Sequence, residues 1–236
     1  MKIALIGFGK MGREVESVAR EQGETISCVF EIDRIVRPEA LAEVDVCIEF
    51  STPDAAIGNI LAAVEARTDI VVGTTGWYEH LPELRSSVRE SALLYSANFS
   101  LGVNIFFRIA SRAAELMNNA TDYDPFVHEF HHRQKADSPS GTALHLSQLL
   151  LDRMERKTEI LTDASKGRIA PTALHVSSTR AGFVIGEHTV GFDSEADLIE
   201  LRHVAKNRRG FALGALAAAR WLRGRKGVYT MDDVEL

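Results

Sequence analysis

Cysteine is scarce in this chain, with two residues in 236. A disulfide framework is therefore excluded, and because Cys28 and Cys47 both sit in apolar, strand-like segments, buried free thiols in a reducing compartment are expected. Long hydrophobic runs are lacking too: charges interrupt every apolar stretch before it reaches the ~20 residues that cross a bilayer, so no membrane segment is expected. Nor is there an excess of positive charge. With 27 Lys and Arg against 33 Asp and Glu, the net charge is -6, which argues against a grip on nucleic acid or anionic lipid. Met1 to Gly7 carries one positive charge and a very short apolar run with no cleavage motif behind it, so a soluble, cytoplasmic protein is expected. Internal repeats, low-complexity tracts and long charge runs are absent.

What is present is ordinary globular material, 45% apolar and 25% charged, enough for one large core or two smaller ones. Strand character at Lys2 to Ile6, Ile26 to Phe30, Val44 to Phe50, Ile70 to Val72 and Leu93 to Tyr95 alternates with helical patterns. These run through Met11, Val15, Val18 and Ala19, then over Ala55 to Ala66 and Leu81 to Glu90. Such alternation predicts a doubly wound α/β domain on a parallel sheet, since parallel strands need crossover connections. After residue 100 the rhythm changes. An amphipathic helix over Leu101 to Met117 precedes strands at Phe126 to Phe130, Leu174 to Thr179, His188 to Phe192 and Leu198 to Val204, with one helix from Thr142 to about Arg156. Thr162 to Pro171 reads as a polar loop. The expected division is a dinucleotide-binding domain over 1–100 plus 211–236, closed by a helix from Phe211 to Leu222, and an α+β domain on a mixed sheet over 101–210.

Gly7-Phe8-Gly9-Lys10-Met11-Gly12 spells G-x-G-x-x-G between the first strand and the first helix. Its glycines permit a tight turn and close backbone approach, and the helix start offers N–H groups to a pyrophosphate. The pattern alone is weak; what strengthens it is Glu31 at the end of the second strand, placed to accept hydrogen bonds from the adenine-side ribose. A carboxylate there repels a 2'-phosphate and favours NADH. Asp33 adds to that repulsion while Arg34 offsets it, which leaves NADPH open. Gly73-Thr74-Thr75-Gly76 and Ser96-Ala97-Asn98-Phe99 end further strands on the carboxyl side, where open α/β sheets bind ligands, although either reads equally as a polar turn. Ser51 or Thr52 is expected to cap a helix that has Pro53 in its first turn.

The second cluster runs from Glu129 to Thr142. His131 and His132 are adjacent, so they share a site only if a strand ends there. Lys135 adds a cation, and Ser140-Gly141-Thr142 at a helix start offers N–H and hydroxyl donors suited to a carboxylate. The constellation reads as a dianion trap beside a proton donor. A metal is not expected, because no further His, Cys or acidic residue lies nearby at familiar zinc spacing.

The run from Glu129 through Ala143 matches the signature E-x-H-H-x-x-K-x-D-x-P-S-G-T-A without a gap, and so resembles the 4-hydroxy-tetrahydrodipicolinate (dihydrodipicolinate) reductase family. The Gly-rich turn, the 73–76 and 96–104 segments, Arg180-Ala181-Gly182, Gly186 to Val190, and His203-Val204-Ala205 leading to Arg208 and Phe211 are similar as well, so the likeness covers nearly the whole chain. It implies NAD(P)H-dependent reduction of a small cyclic dicarboxylate in lysine and diaminopimelate biosynthesis. It further implies His131 and Lys135 as catalytic groups and His132, Lys135, Ser140, Gly141 and Thr142 as substrate contacts. Cofactor contacts are implied at Gly7 to Gly12, Glu31, Gly73, Thr74, Thr75, Ser96, Ala97, Asn98 and Phe99, and a homotetramer is the family's usual assembly. Where NADPH-favouring relatives carry Arg directly after the acidic residue, this chain has Ile32, which agrees with the charge argument for NADH. Two rivals stay open at this level: another two-domain dehydrogenase of a small carboxylate, and a non-enzymatic NADH sensor.

Overall fold

A computed structural model describes residues 1–162 and 167–235, which puts part of the expected 162–171 loop outside the described residues. The chain divides into two compact units, Met1–Asn104 with Arg208–Leu236, and Ile105–Asn207.

In the first unit the strands are β1 (Lys2–Ile6), β2 (Thr25–Phe30), β3 (Val46–Glu49), β4 (Asp69–Val72), β5 (Ala92–Tyr95) and β11 (Gly227–Thr230). They form one six-stranded sheet in the order β11-β5-β4-β3-β1-β2, and every pairing is parallel. The helices are α1 (Lys10–Glu21), α2 (Pro53–Glu65), α3 (Leu81–Ser87) and α6 (Arg209–Leu222). Both faces of the sheet are covered, which is why the strands read as continuous apolar runs. Ile3 and Leu5 join Val15, Val18 and Ala215 in one core layer, whereas Ala4 and Ile6 join Ile60, Ala63 and Leu84 in the other. Helix α6 approaches closely because residue 214 is glycine: a Cβ there would stand 1.7 Å from the Phe99 carbonyl oxygen. Strand order reverses between β1 and β3, so their carboxyl ends open a crevice.

The second unit holds β6 (Asp124–His131), β7 (Glu159–Leu161), β8 (Ala173–Arg180), β9 (Glu187–Asp193) and β10 (Leu198–Val204), in the order β10-β9-β6-β8-β7. The sheet is mixed: β6 runs parallel to β8 and antiparallel to β9. One face packs against α5 (Gly141–Leu151) and the later turns of α4 (Leu101–Asn118) through Phe106, Ala110, Leu146, Leu150, Leu174, Val176 and Phe192. Alternation along β6 is strict, with Val127, Glu129 and His131 buried and Phe126, His128 and Phe130 half-buried on the opposite face.

Helix α5 stops at Leu151, short of the expected Arg156. Met154 is nevertheless fully buried, and Arg156 donates to the carbonyls of Met117, Asn118 and Tyr123. The turn after the helix therefore continues the apolar pattern without continuing the helix. Strands β7 and β11 were not legible in the sequence pattern.

Candidate active site

A cavity of about 410 Å³ lies in the first unit, lined by residues that include Gly7, Phe8, Gly9, Glu31, Ile32, Arg34 and Ser51. Its floor is the Gly-rich turn. Gly7 holds φ +86°, and a Cβ there would meet the Phe50 carbonyl oxygen at 2.3 Å; at Gly12 a Cβ would meet the Gly7 oxygen at 2.2 Å. The two glycines let strand, turn and helix close on one another, while Gly9 has nothing within 4 Å of its Cβ position and leaves room for a ligand's phosphates beside the start of α1. These features fit a dinucleotide. Glu31 and Ile32 are exposed at the rim. Arg34 is exposed beside them, donating to the Val29 carbonyl at 3.2 Å and lying over the Phe30 ring.

Lys10 is exposed and Met11 half-buried at the start of α1. Gly73 lies against the Phe50 ring, 2.0 Å from it at the Cβ position. Thr74 is buried with its hydroxyl unpartnered among the described residues, while its carbonyl accepts from Trp77 Nε1 at 2.7 Å; Thr75 is exposed. Ser96 to Asn98 form a tight turn, in which Ser96 Oγ donates to the Asn98 carbonyl at 2.9 Å and accepts from the Asn98 N–H at 3.1 Å. Ala97 is exposed. Phe99 is 1% exposed and its ring belongs to the core, edge-on to Phe50, so its side chain does not face a cofactor. Of the two residues expected to cap at 51–52, Thr52 takes the position. Thr52 is the N-cap of α2 but makes no side-chain cap bond; the Ser51 hydroxyl donates to Glu49 instead, a buried carboxylate beneath the loop.

In the second unit β6 ends at His131, as a shared histidine site requires. The chain then turns, with His132 N–H donating to the Val184 carbonyl at 2.7 Å. His131 Nδ1 meets the Ile185 carbonyl at 3.0 Å. A carbonyl only accepts, so Nδ1 carries a hydrogen, and Nε2 is the nitrogen that faces Glu129 and His188. The ring fits because residue 186 is glycine: a Cβ there would stand 2.8 Å from His131 Cε1. His132 is half-buried, with Nδ1 unpartnered among the described residues.

Ser140 is the N-cap of α5, its Oγ accepting from Ala143 N–H at 3.2 Å. Lys135 Nζ pairs with Asp137 at 2.7 and 3.0 Å. Contact with Lys135, aided by the Gly141 N–H, holds the Asp137 carboxyl below its usual range against a smaller opposing effect of burial. The helix start and Lys135 thus already bind a carboxylate, one supplied by the chain itself.

Sequence reasoning assigned no role to the groups behind His131. Glu129, two residues earlier on the same strand face, is fully buried. Its Oε1 accepts from Ser140 N–H at 2.9 Å, Ser178 Oγ at 2.8 Å and Arg180 Nη2 at 2.5 Å. Its Oε2 stands 3.3 Å from His131 Nε2 and 3.6 Å from His188 Nε2, and those two nitrogens are 3.4 Å apart. Burial alone would raise the Glu129 carboxyl, but the close His131 and His188 nitrogens, with hydrogen bonds from Ser140 and Arg180, outweigh it and hold the group well below the usual carboxylate range. His188 is lowered as well, in its case by burial, which Glu129 only partly offsets. The three side chains are spaced closely enough to meet one cation. The expectation of no metal rested on local sequence spacing, which cannot see His188, brought opposite Glu129 by the β6–β9 register.

The comparisons with known proteins agree with this anatomy. Residues 1–99 match the family model for the N-terminus of dihydrodipicolinate reductase, and residues 102–234 the model for its C-terminus. Curated relatives named 4-hydroxy-tetrahydrodipicolinate reductase include that of Christiangramia forsetii, 40% identical over 99% of this chain and 97% of its own. That of Archaeoglobus fulgidus is 35% identical over 99% of each. Among solved structures, a dipicolinate-bound dihydrodipicolinate reductase from Paenisporosarcina sp. TG-14 shares the fold at a TM-score of 0.77 and 22% identity, over the full length of both chains. The chain belongs to the dihydrodipicolinate reductase family of NAD(P)H-dependent oxidoreductases.

Proposed function

We infer that this chain reduces 4-hydroxy-tetrahydrodipicolinate to tetrahydrodipicolinate, the activity for which its relatives are named, within lysine and diaminopimelate biosynthesis. The observation that carries the reading is the loop of the second unit where a buried histidine, a lysine and a capped helix start converge. A pyridine nucleotide supplies the hydride when bound. The chain's own residues must then hold a dianion and deliver a proton.

Ser140, Gly141 and Thr142 at the start of α5 bind one substrate carboxylate, since helix N-termini present N–H groups to anions. His132 and Lys135 bind the other side of the substrate, Lys135 leaving Asp137 to do so. Loss of the 4-hydroxyl as water gives the conjugated ring, and hydride addition to that ring leaves negative charge that a proton must quench. His131 supplies it from Nε2, as a class of side chain that titrates near neutral pH can. Lys135 is the second catalytic group, a fixed cation that stabilises the developing charge. In the first unit, Gly7 to Gly12, Glu31, Gly73 to Thr75 and the backbone of Ser96 to Phe99 hold the nucleotide. NADH is favoured. Glu31 opposes a 2'-phosphate and Ile32 provides no cation, while Arg34 at the cavity lining, with one N–H on the Val29 carbonyl, offsets only part of that opposition.

The assembly is a homotetramer in the cytoplasm. Support for the assembly comes from the helix-free face of the second sheet, where Phe126, His128 and Phe130 are half-buried and Leu198 and Val204 exposed, and light scattering measures it directly. The activity is tested by supplying the condensation product of pyruvate and aspartate semialdehyde: NADH is oxidised only when it is present. His131→Ala and Lys135→Ala each lower turnover strongly and leave NADH affinity nearly unchanged. Equal loss of cofactor binding would refute the division of roles.

A further inference from the structure

Four side chains form a row across the second sheet, one from each of four neighbouring strands: Ser178 on β8, Glu129 on β6, His188 on β9 and His203 on β10. The register pairs Glu129 with Ser178 on one side and His188 on the other, and His188 with His203. Glu129 lies at the middle of the row and is fully buried. Burying a carboxylate is costly unless hydrogen bonds compensate it, and its two oxygens are compensated differently. Three donors converge on Oε1: the Ser140 N–H, the Ser178 hydroxyl and Arg180. Among the described residues no ordinary hydrogen bond reaches Oε2, which faces the Nε2 atoms of His131 and His188. Three lone pairs pointed at one another 3.3 to 3.6 Å apart would repel, so the triangle must hold at least one proton.

We propose that Glu129 is a positioning residue that couples the two halves of the site, its Oε1 fixing the start of α5 and its Oε2 keeping a proton on His131 Nε2. His188 is the third member. Buried and held neutral, it fills the space behind the His131 ring, edge-on with centroids 5.1 Å apart, and its Nε2 also approaches Ser140 Oγ at 3.3 Å. The other charged or titratable groups acting on this triangle among the described residues are Arg180 from β8, Glu187 from β9, His203 from β10 and Lys135 from the loop after β6. Arg180 balances the Glu129 charge from the Oε1 side, which leaves Oε2 as the carboxylate's acceptor toward the histidines. A single carboxylate thereby sets the distance between the proton donor and the anion-binding helix start.

The geometry makes Glu129→Gln a sharp test. Three donors converge where Oε1 lies, so the amide must place its oxygen there and turn its NH2 toward His131. An NH2 group only donates, and His131 Nε2 must then present a lone pair instead of a proton. The α5 start keeps its bond to residue 129. The expected outcome is a fall in kcat of about tenfold or more, the scale of a general acid partly disabled, with KM for substrate and affinity for pyridine-2,6-dicarboxylate within about twofold of wild type. The alkaline limb of the kcat profile moves to lower pH, by about one unit or more, as expected when an opposite charge is removed from beside a proton donor. His188→Asn, which leaves the carboxylate in place, lowers kcat less and shifts the profile less.

This role for Glu129 rests on the reading of His131 as proton donor, so His131→Ala is assayed alongside. If His131→Ala turns over normally, that reading fails. If His131→Ala is inactive but Glu129→Gln matches wild type, only the role of Glu129 fails. A parallel loss of kcat, substrate affinity and pyridine-2,6-dicarboxylate binding in Glu129→Gln, with no movement of the pH profile, overturns it in favour of a merely structural carboxylate. Loss of activity on treatment with a chelator, restored by Zn²⁺, overturns it too, since the triangle would then seat a cation instead of a proton.

Discussion

Gly186→Ala isolates the placement of the His131 ring from every other feature of the site. Gly186 lies outside the left-handed region, so the backbone accepts alanine without strain, and only the contact matters. The new Cβ would stand 2.8 Å from His131 Cε1 and 3.3 Å from Nδ1, where ordinary contact begins at 3.4 Å. The ring must therefore retreat by about 0.6 Å, or its bond to the Ile185 carbonyl must stretch. A misplacement of ~1 Å at a reacting group costs on the order of a hundredfold in rate, so a shift of this size is expected to lower kcat about tenfold. Stability should barely change, because a side chain moves and the strand does not. The assay is steady-state oxidation of NADH with saturating substrate, beside a melting curve and a measurement of NADH affinity, which depends on the first unit. Wild-type kcat in Gly186→Ala would refute the placement of His131 as proton donor. So would a melting temperature more than about 4 °C lower, on the order of 1 kcal/mol for a chain this long, because the strand and not the ring would then have yielded.

Three further outcomes are expected. Ile32→Arg restores a cation at the cavity rim at no packing cost, since Ile32 is 95% exposed; the KM for NADPH should fall about five- to tenfold, the scale of one exposed charge-assisted bond to phosphate, with KM for NADH little changed, and an unmoved NADPH KM would count against Glu31 and Ile32 as the discriminating pair. Asp137→Asn removes the carboxylate that occupies Lys135 in the empty site; this pair is largely exposed, so the gain is modest, and pyridine-2,6-dicarboxylate should bind up to about fivefold more tightly, whereas weaker binding would mean that Asp137 orients Lys135. Finally, burial lowers the proton affinity of His188 and His203 from an ordinary value of 6.5. Below that pH the unfolded chain takes up protons that the folded one refuses, so stability should fall as pH drops below about 6.5 and fall further below 4.5 as Glu129, held low in the fold, is protonated on unfolding. Urea midpoints that stay flat from neutral pH down to about pH 5 would refute it.

Much of the fold was legible because the first sheet is buried on both faces. Its strands announce themselves as short apolar runs, the glycines between β1 and α1 mark a turn that only glycine can make, and Pro53 marks the first turn of α2. What could not be read were elements whose residues carry no periodic burial. Strand β7 has three residues, none of them buried, and β11 is four half-buried residues at the sheet edge beginning at Gly227; pairing defines both, and pairing is a property of the partner strand. The overrun of α5 has the converse cause: apolar spacing reports burial, and Met154 is buried in a turn.

The same limit governs the site. His131, Lys135 and the Ser140 cap are near one another in sequence, so their types and spacing suggested a proton donor beside an anion trap. Glu129 was inside that run too, and the alternation of β6 puts it on the His131 face, yet a glutamate on a strand is ordinarily read as its solvent side. Whether such a residue is a surface charge or a buried counter-ion depends on what stands opposite, and that is settled by a register joining β6 to β9 and β8, far along the chain. Once Glu129 is set opposite His188 and Ser178, its burial becomes affordable only with the Ser140 N–H and Arg180 on one oxygen and histidine protons at the other. The glycine at 186, the serine at 178 and the arginine at 180 then cease to be separate observations. Ser178 and Arg180 satisfy one oxygen of the buried carboxylate, and Gly186 makes room for the His131 ring beside the other.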